Sequence, residues 1–216
     1  MKTIAFIAGF FLLSCQSQGS KNIPSKVDPE TTIVDYQKLD TATFAGGCFW
    51  CVEASFEQIK GVISAVSGYS GGEAKSANYK KVSYGLTNHA EAVQVYFDPE
   101  VIDFETLLDI FFTAHDPTQL NRQGPDVGSQ YRSEIFYHNE EQKKLSEKKM
   151  KELASSFSAP IVTKLSKLDA FYDAEDYHQD FEEKNPNQGY IVAVSRPKIN
   201  KVKKKFSHLL KDSAKD

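Results

Sequence analysis

Apolar residues recur along the chain in two spacings, and each spacing predicts a different element. "TATFAGG" (Thr41 to Gly47) is a short apolar run ending in glycines, which predicts a strand. From Cys48 to Lys60 the apolar positions Val52, Phe56 and Ile59 fall three or four apart, the spacing of one helix face. "VISAVSGYSGG", from Val62, predicts a strand running into a glycine-rich loop. "AEAVQVYF" (Ala90 to Phe97) alternates as a half-buried strand does, and Asp98-Pro99 stops it. "DFETLLDIFFTAH" (Asp103 to His115) is an amphipathic helix with Asp103 placed as N-cap, closed by Asp116-Pro117. A loop rich in Gly, Asn and Gln follows. Then come "SEIFYH" as a strand, "EEQKKLSEKKMKELASS" as a charged helix with one apolar stripe, and "PIVTKL" as another strand. The stretch from Val62 to Phe97 has little room for a long crossover helix, whereas other links do. The expected fold is therefore α+β with a mixed sheet.

The two ends depart from this alternation. "MKTIAFIAGFFLLSCQSQGSK" has one early lysine, an apolar run from Ile4 to Leu13 and a small residue before Cys15. The run is shorter than the roughly 20 residues of a membrane-spanning helix, so it predicts a signal peptide over 1–14. Leu12-Leu13-Ser14-Cys15 resembles a bacterial lipobox, which makes Cys15 a candidate lipidation site and the expected location an exported, lipid-anchored one. Residues 15–39 are polar, with Pro24 and Pro29, and predict a flexible tether. At the other end, from Arg196, eight Lys or Arg stand against two Asp, and the expectation is a solvated basic segment, with 207–216 as a polar tail.

Composition changes little in this picture. At 216 residues, 40% hydrophobic and 25% charged, the chain suits one domain, expected over 40–206, with extensions. A net charge of -3 and the absence of an aromatic-plus-basic reading motif argue against nucleic acid as a partner.

Cysteine usage narrows the chemistry. Besides Cys15 there are only Cys48 and Cys51, so a lipidated mature chain can form one internal disulfide. Cys48 falls at the strand-to-helix junction, where backbone N–H groups favour an anion, and is the candidate nucleophile. Cys51, one turn further in, should be more enclosed and less ionised, and is the natural resolving thiol. Two structural cysteines, or half of a zinc site, remain open for a bare CxxC. Between them, Phe49 and Trp50 build an apolar wall suited to a small apolar group, although both are also common core residues.

"GGCFWCVE", "TNHAEAVQVYFDP", "HDPTQLNRQGPDVGSQYRS" and "AEDYHQDF" occur in this order, and together they resemble the peptide methionine sulfoxide reductase A family from about Thr41 to Lys205. The resemblance implies a two-layer α/β plait, ferredoxin-like with additional loops, and reduction of the S epimer of methionine sulfoxide, free or in oxidised proteins. It implies Cys48 as the attacking thiolate, Phe49 and Trp50 as the methyl pocket, and Glu91 as the proton source. It also implies Tyr79 and Tyr131 as hydrogen-bond donors to the oxygen, and Asp126 as positioning the substrate or a water. A working acid needs a raised pKa, so Glu91 should be buried. His89, His115 and His178 are expected as structural hydrogen-bonders rather than metal ligands. Many members carry Gly or Ser after Phe-Trp and recycling cysteines near the C-terminus; here nothing after Cys51 is cysteine. Recycling then falls to Cys51 or an outside thiol, with a thioredoxin-like reductant, no metal or organic cofactor, and a monomer as the expected form. Two alternatives stand beside it: a lipid-anchored protein-disulfide oxidoreductase using the same CxxC, and a non-catalytic binding lipoprotein.

Overall fold

The computed structural model describes residues 38–214. The expected signal peptide, Cys15 and nearly all of the expected tether lie outside them. Six strands form one mixed sheet in the order β7-β6-β1-β3-β2-β8. Its centre is β1 (Asp40–Gly46), antiparallel to both β3 (Ala90–Phe97) and β6 (Ser133–Tyr137). β2 (Val62–Ser70) and β3 form an antiparallel pair, and β8 (Phe171–Asp173) adds to the outer side of β2. β7 (Lys164–Lys167) runs parallel to β6, which makes the sheet mixed as expected.

Helices cover one face because β1 turns its even positions toward them. Ala42 and Phe44 belong to the main apolar cluster, while Ala45 packs on the far face with Ala90, Ala92 and Phe136. Phe44 stacks between Phe56 of α1 (Phe49–Glu57) and Phe111 of α3 (Phe104–Ala114), at centroid distances of 5.3 and 4.9 Å. Fully burying each such ring contributes on the order of 2–3 kcal/mol. The Asp103 carboxylate accepts the Thr106 N–H at 2.8 Å and caps α3 where the sequence placed the cap. A short helix, α2 (Tyr79–Ser83), interrupts the β2–β3 connection, with Asn78 as its cap. The expected loop after Pro117 contains a small hairpin, β4 (Arg122–Gln123) with β5 (Asp126–Val127). The charged helix, α4 (Glu140–Leu153), forms as expected.

The C-terminal third differs most from expectation. After the short α5 (Phe181–Lys184), a π-helical turn, Ile191–Ser195, leads into α6 (Arg196–Lys205), so the expected solvated basic segment begins as a helix. Ile199 and Val202 of α6 are buried against α1 and α3, so Lys201, Lys204 and Lys205 lie on the wet face of a packed helix, while Lys198 turns its Nζ inward. The residues expected as a polar tail fold back too: Leu210 is buried and bridges Ile59, and Lys60 N–H donates to the Leu209 carbonyl at 2.7 Å.

Candidate active site

The turn between β1 and α1 delivers the cysteines. Gly47 sits at φ 95°, and a Cβ there would lie 2.6 Å from the Gln123 side chain, so the backbone can turn this tightly only as glycine. Cys48 follows as the N-cap of α1, with Phe49 and Cys51 buried behind it. β3 brings Glu91, α2 begins with Tyr79, β5 supplies Asp126, and a 3-10 turn, Ser129–Tyr131, supplies Tyr131. These residues, with Phe49 and Trp50, line one cavity of about 230 Å³. Of the eight expected domain-site residues only Cys51 does not line it; its sulfur lies deeper, 2.9 Å from Ser195 Oγ.

Electrostatics separate the two expected acids and thiols. Glu91 is 2% exposed, and burial pushes its carboxyl up to about 8, opposed by the Phe49 N–H and reinforced by negative charge at Asp126 and Cys51. It is therefore protonated at neutral pH. Cys48 corrects the expectation of a thiol lowered by the helix start. Burial pushes it well up, and hydrogen bonding and charge at Cys51, then charge at Glu91, push the same way. The N–H of Phe49, which would have served a thiolate, instead donates to Glu91 Oε2 at 3.1 Å. Cys51 reverses its expectation as well. The hydrogen bond from Cys48 lowers it to about 7 against its own burial, helped by Lys198 and Ser195. The two sulfurs titrate as one coupled pair, in which the outer one is pushed up and the inner one pulled down.

An aromatic cage fixes the wall beside Cys48. Trp50 stacks on Phe181 at 3.8 Å and meets Tyr190 edge-on at 6.0 Å. Its indole N–H donates to His178 Nδ1 at 3.1 Å, which leaves the hydrogen of the neutral imidazole on Nε2. The Tyr79 N–H and the Tyr69 hydroxyl both donate to Glu175, at 2.9 and 2.8 Å, pinning α2 to the 3-10 turn that carries His178. Burial, the largest cause, raises both Tyr79, to about 12, and Tyr131, so both phenols remain donors at neutral pH.

Two lining residues escaped the sequence reasoning: Gln188 and Tyr190. The Tyr190 hydroxyl donates to Asp126 Oδ2 at 2.5 Å, closing the cavity. Only a tyrosine after Gly189 marked the place, and ten tyrosines in the chain make that a weak signal. The remaining histidines bond as expected. His89 Nε2 pairs with the Glu73 carbonyl at 3.1 Å, and His115 is held between the Phe111 carbonyl and Ser133 Oγ, both at 2.7 Å.

Known proteins share this architecture. The family model described as "Peptide methionine sulfoxide reductase" matches residues 40–210. The chain is 52% identical over 176 residues to peptide methionine sulfoxide reductase MsrA 1 of Rhodopirellula baltica, covering 82% of this chain and 92% of that one. It is 54% identical over 170 residues to MsrA of Pasteurella multocida, covering 79% and 98%. Among solved structures, reduced Mxr1 from Saccharomyces cerevisiae is similar with a TM-score of 0.67 at 38% identity, over 76% of this chain and 91% of that one. Methionine sulfoxide reductase A of Corynebacterium diphtheriae gives 0.63 at 34% identity, over 69% and 76%. With a family match across the whole described domain and relatives above 50% identity, the chain belongs to the peptide methionine sulfoxide reductase family.

Proposed function

We propose that this enzyme reduces the S epimer of methionine sulfoxide, free or in oxidised proteins, through a sulfenic acid on Cys48 and a Cys48–Cys51 disulfide. The observation that carries this reading is a protonated, buried Glu91 in the same small cavity as Cys48. A sulfoxide sulfur is a weak electrophile until its oxygen is hydrogen-bonded or protonated. Glu91 supplies that proton, and the phenols of Tyr79 and Tyr131 donate to the same oxygen. Phe49 and Trp50 receive the methyl group, and Asp126, bonded by Tyr190, orients the substrate or a water.

The Cys48 proton passes to Cys51 as the Cys48 sulfur attacks; methionine leaves, and the oxygen stays on Cys48 as a sulfenic acid. Cys51 then displaces that hydroxyl as water. A thioredoxin-like dithiol reduces the resulting disulfide, and no metal or organic cofactor takes part. The strand order β6-β1-β3-β2, with α1 and α3 as the crossovers, supports describing the domain as a two-layer plait with additions. The lipobox-like run before Cys15 supports an exported, lipid-anchored enzyme.

The test is turnover of separate S and R epimers by the purified protein with dithiothreitol. Methionine from the S epimer alone is the expected result; disulfide exchange without methionine from either would transfer the case to the oxidoreductase reading.

A further inference from the structure

Cys51 sits in surroundings that the cycle above does not use. Ser195 is fully buried, and its Oγ lies 2.9 Å from Cys51 Sγ. Ser195 ends the π-helical turn Ile191–Ser195, whose wider winding shifts the facing of the residues that follow, as such bulges do at functional sites. One turn on, Lys198 places its Nζ in the interior without a hydrogen-bond partner. Its charge acts on two buried groups, Cys51 and His115. A buried ammonium needs a nearby anion to be tolerated. His115 offers none, since burial lowers it to about 4 and both ring nitrogens are bonded. Asp116 borders the same cavity as Lys198, but its oxygens are taken by the Thr118 N–H and hydroxyl and by Gln119 Nε2. The sulfur of Cys51 remains.

We propose that Ser195 and Lys198 are positioning residues that hold Cys51 as a thiolate, poised to attack the oxidised Cys48. The inference rests on the reading given under Proposed function. The step balances: Cys51 returns to solvent the proton it took from Cys48, Cys51 S⁻ then forms the S–S bond, the S–O bond of the sulfenic acid breaks, Cys51 is oxidised and Cys48 reduced. The departing hydroxide takes a proton from solvent and leaves as water. Besides Ser195 and Lys198, the groups facing Cys51 are Cys48 at the start of α1, Glu91 on β3, Asp126 on β5, and Tyr190. Asp126 opposes ionisation of Cys51, so the basic side of this shell rests on Lys198.

Single-turnover kinetics separate the two steps: methionine release reports the first, and loss of free thiol reports the second, each followed from pH 5 to 9. In wild type the disulfide step should rise with a midpoint below the ordinary thiol value of about 8.5. Lys198→Met should move that midpoint up by about one unit or more, the usual effect of removing a close opposite charge. Ser195→Ala should give a smaller shift, and Lys198→Arg should stay near wild type. A purely structural role would slow both steps alike and leave the midpoint in place. An unchanged midpoint in Lys198→Met overturns the proposal. If that variant does not fold, iodoacetamide labelling of Cys51 in Cys48→Ser decides: a midpoint below about 8.5 supports it, and one at or above that value overturns it. Absence of methionine from wild type would instead count against the function proposed above, and the labelling experiment would still read the state of Cys51.

Discussion

The backbone N–H of Phe49 donates to Glu91 Oε2 at 3.1 Å, so the first free amide of α1 holds the Glu91 carboxyl rather than the Cys48 sulfur. This one bond ties the Glu91 carboxyl to the start of α1, and a Gln amide oxygen at position 91 can accept it equally well. Glu91→Gln should therefore keep the fold while slowing sulfenic acid formation by roughly 10²–10⁴-fold. The wild-type rate of that step should fall as pH rises through about 8, where Glu91 loses its proton. A near-wild-type single-turnover rate in the variant would remove Glu91 from the acid role.

The same carboxyl carries a stability cost. Its pKa is about 8 folded against an ordinary value of 4.5, so between those values the folded state binds the proton more tightly than the unfolded one. Its contribution to stability is complete below pH 4.5 and is lost as pH rises toward 8. Glu91→Gln should accordingly gain Tm relative to wild type as pH rises across that window, and show no such gain below it. Thermal melts of both proteins at pH 4 to 8 check this; a constant difference in Tm would refute it.

Cys51→Ser should release close to one methionine per enzyme and then stall with thioredoxin, since no inner thiol remains to displace the hydroxyl. Dithiothreitol, small enough to enter the pocket, should restore partial turnover, and Cys48→Ser should release nothing with either reductant. Quenched-flow methionine yield, with a thiol count after one turnover, distinguishes these cases. If Cys51→Ser cycles with thioredoxin as fast as wild type, the outside donor attacks Cys48 directly.

The bond from Trp50 Nε1 to His178 Nδ1 locks the indole against Phe181. His178→Phe keeps an aromatic ring there and removes the acceptor. Loss of one such bond is worth about 0.5–1.5 kcal/mol, which predicts roughly a 2- to 10-fold fall in kcat/KM, carried mainly by KM. Trp50 is the chain's single tryptophan, so its fluorescence should report the freed indole directly. Unchanged fluorescence and KM would show that stacking alone fixes the ring.

The run ending at Cys15 predicts lipid on that residue and recovery of the protein with membranes. Cys15→Ala should yield an unlipidated form. Mass spectrometry of mature wild-type protein with an unmodified Cys15 would exclude the anchor.

Much of this was legible in the residues. Period and punctuation placed β1, β3, α3 and α4, because glycines end β1, Asp98-Pro99 stops β3, Asp103 caps α3 and the charged α4 keeps a single apolar stripe behind its cap Asn139. Glu91 could be named from its motif, but its burial depends on chain above and below β3 that no local pattern reports. The C-terminal third misled for a related reason. In α6 the buried residues are Ile199 and Val202, so lysines outvote them in any window, and a run of charge reads as solvated. The expected order of thiol acidities also failed. It assigned the helix-start amide to Cys48, whereas a carboxyl from β3 takes it.

Cys51 and Ser195, which touch, are 144 residues apart in sequence, and Tyr190 closes the cavity from almost as far along the chain. During synthesis the Cys48–Cys51 pair therefore emerges early and waits as two ordinary thiols for most of the domain to follow. Reactivity arrives with the last wall. A nascent or truncated chain ending before Gln188 has the full cysteine motif and none of the closed site, so the enzyme comes under its own chemistry only once it is whole.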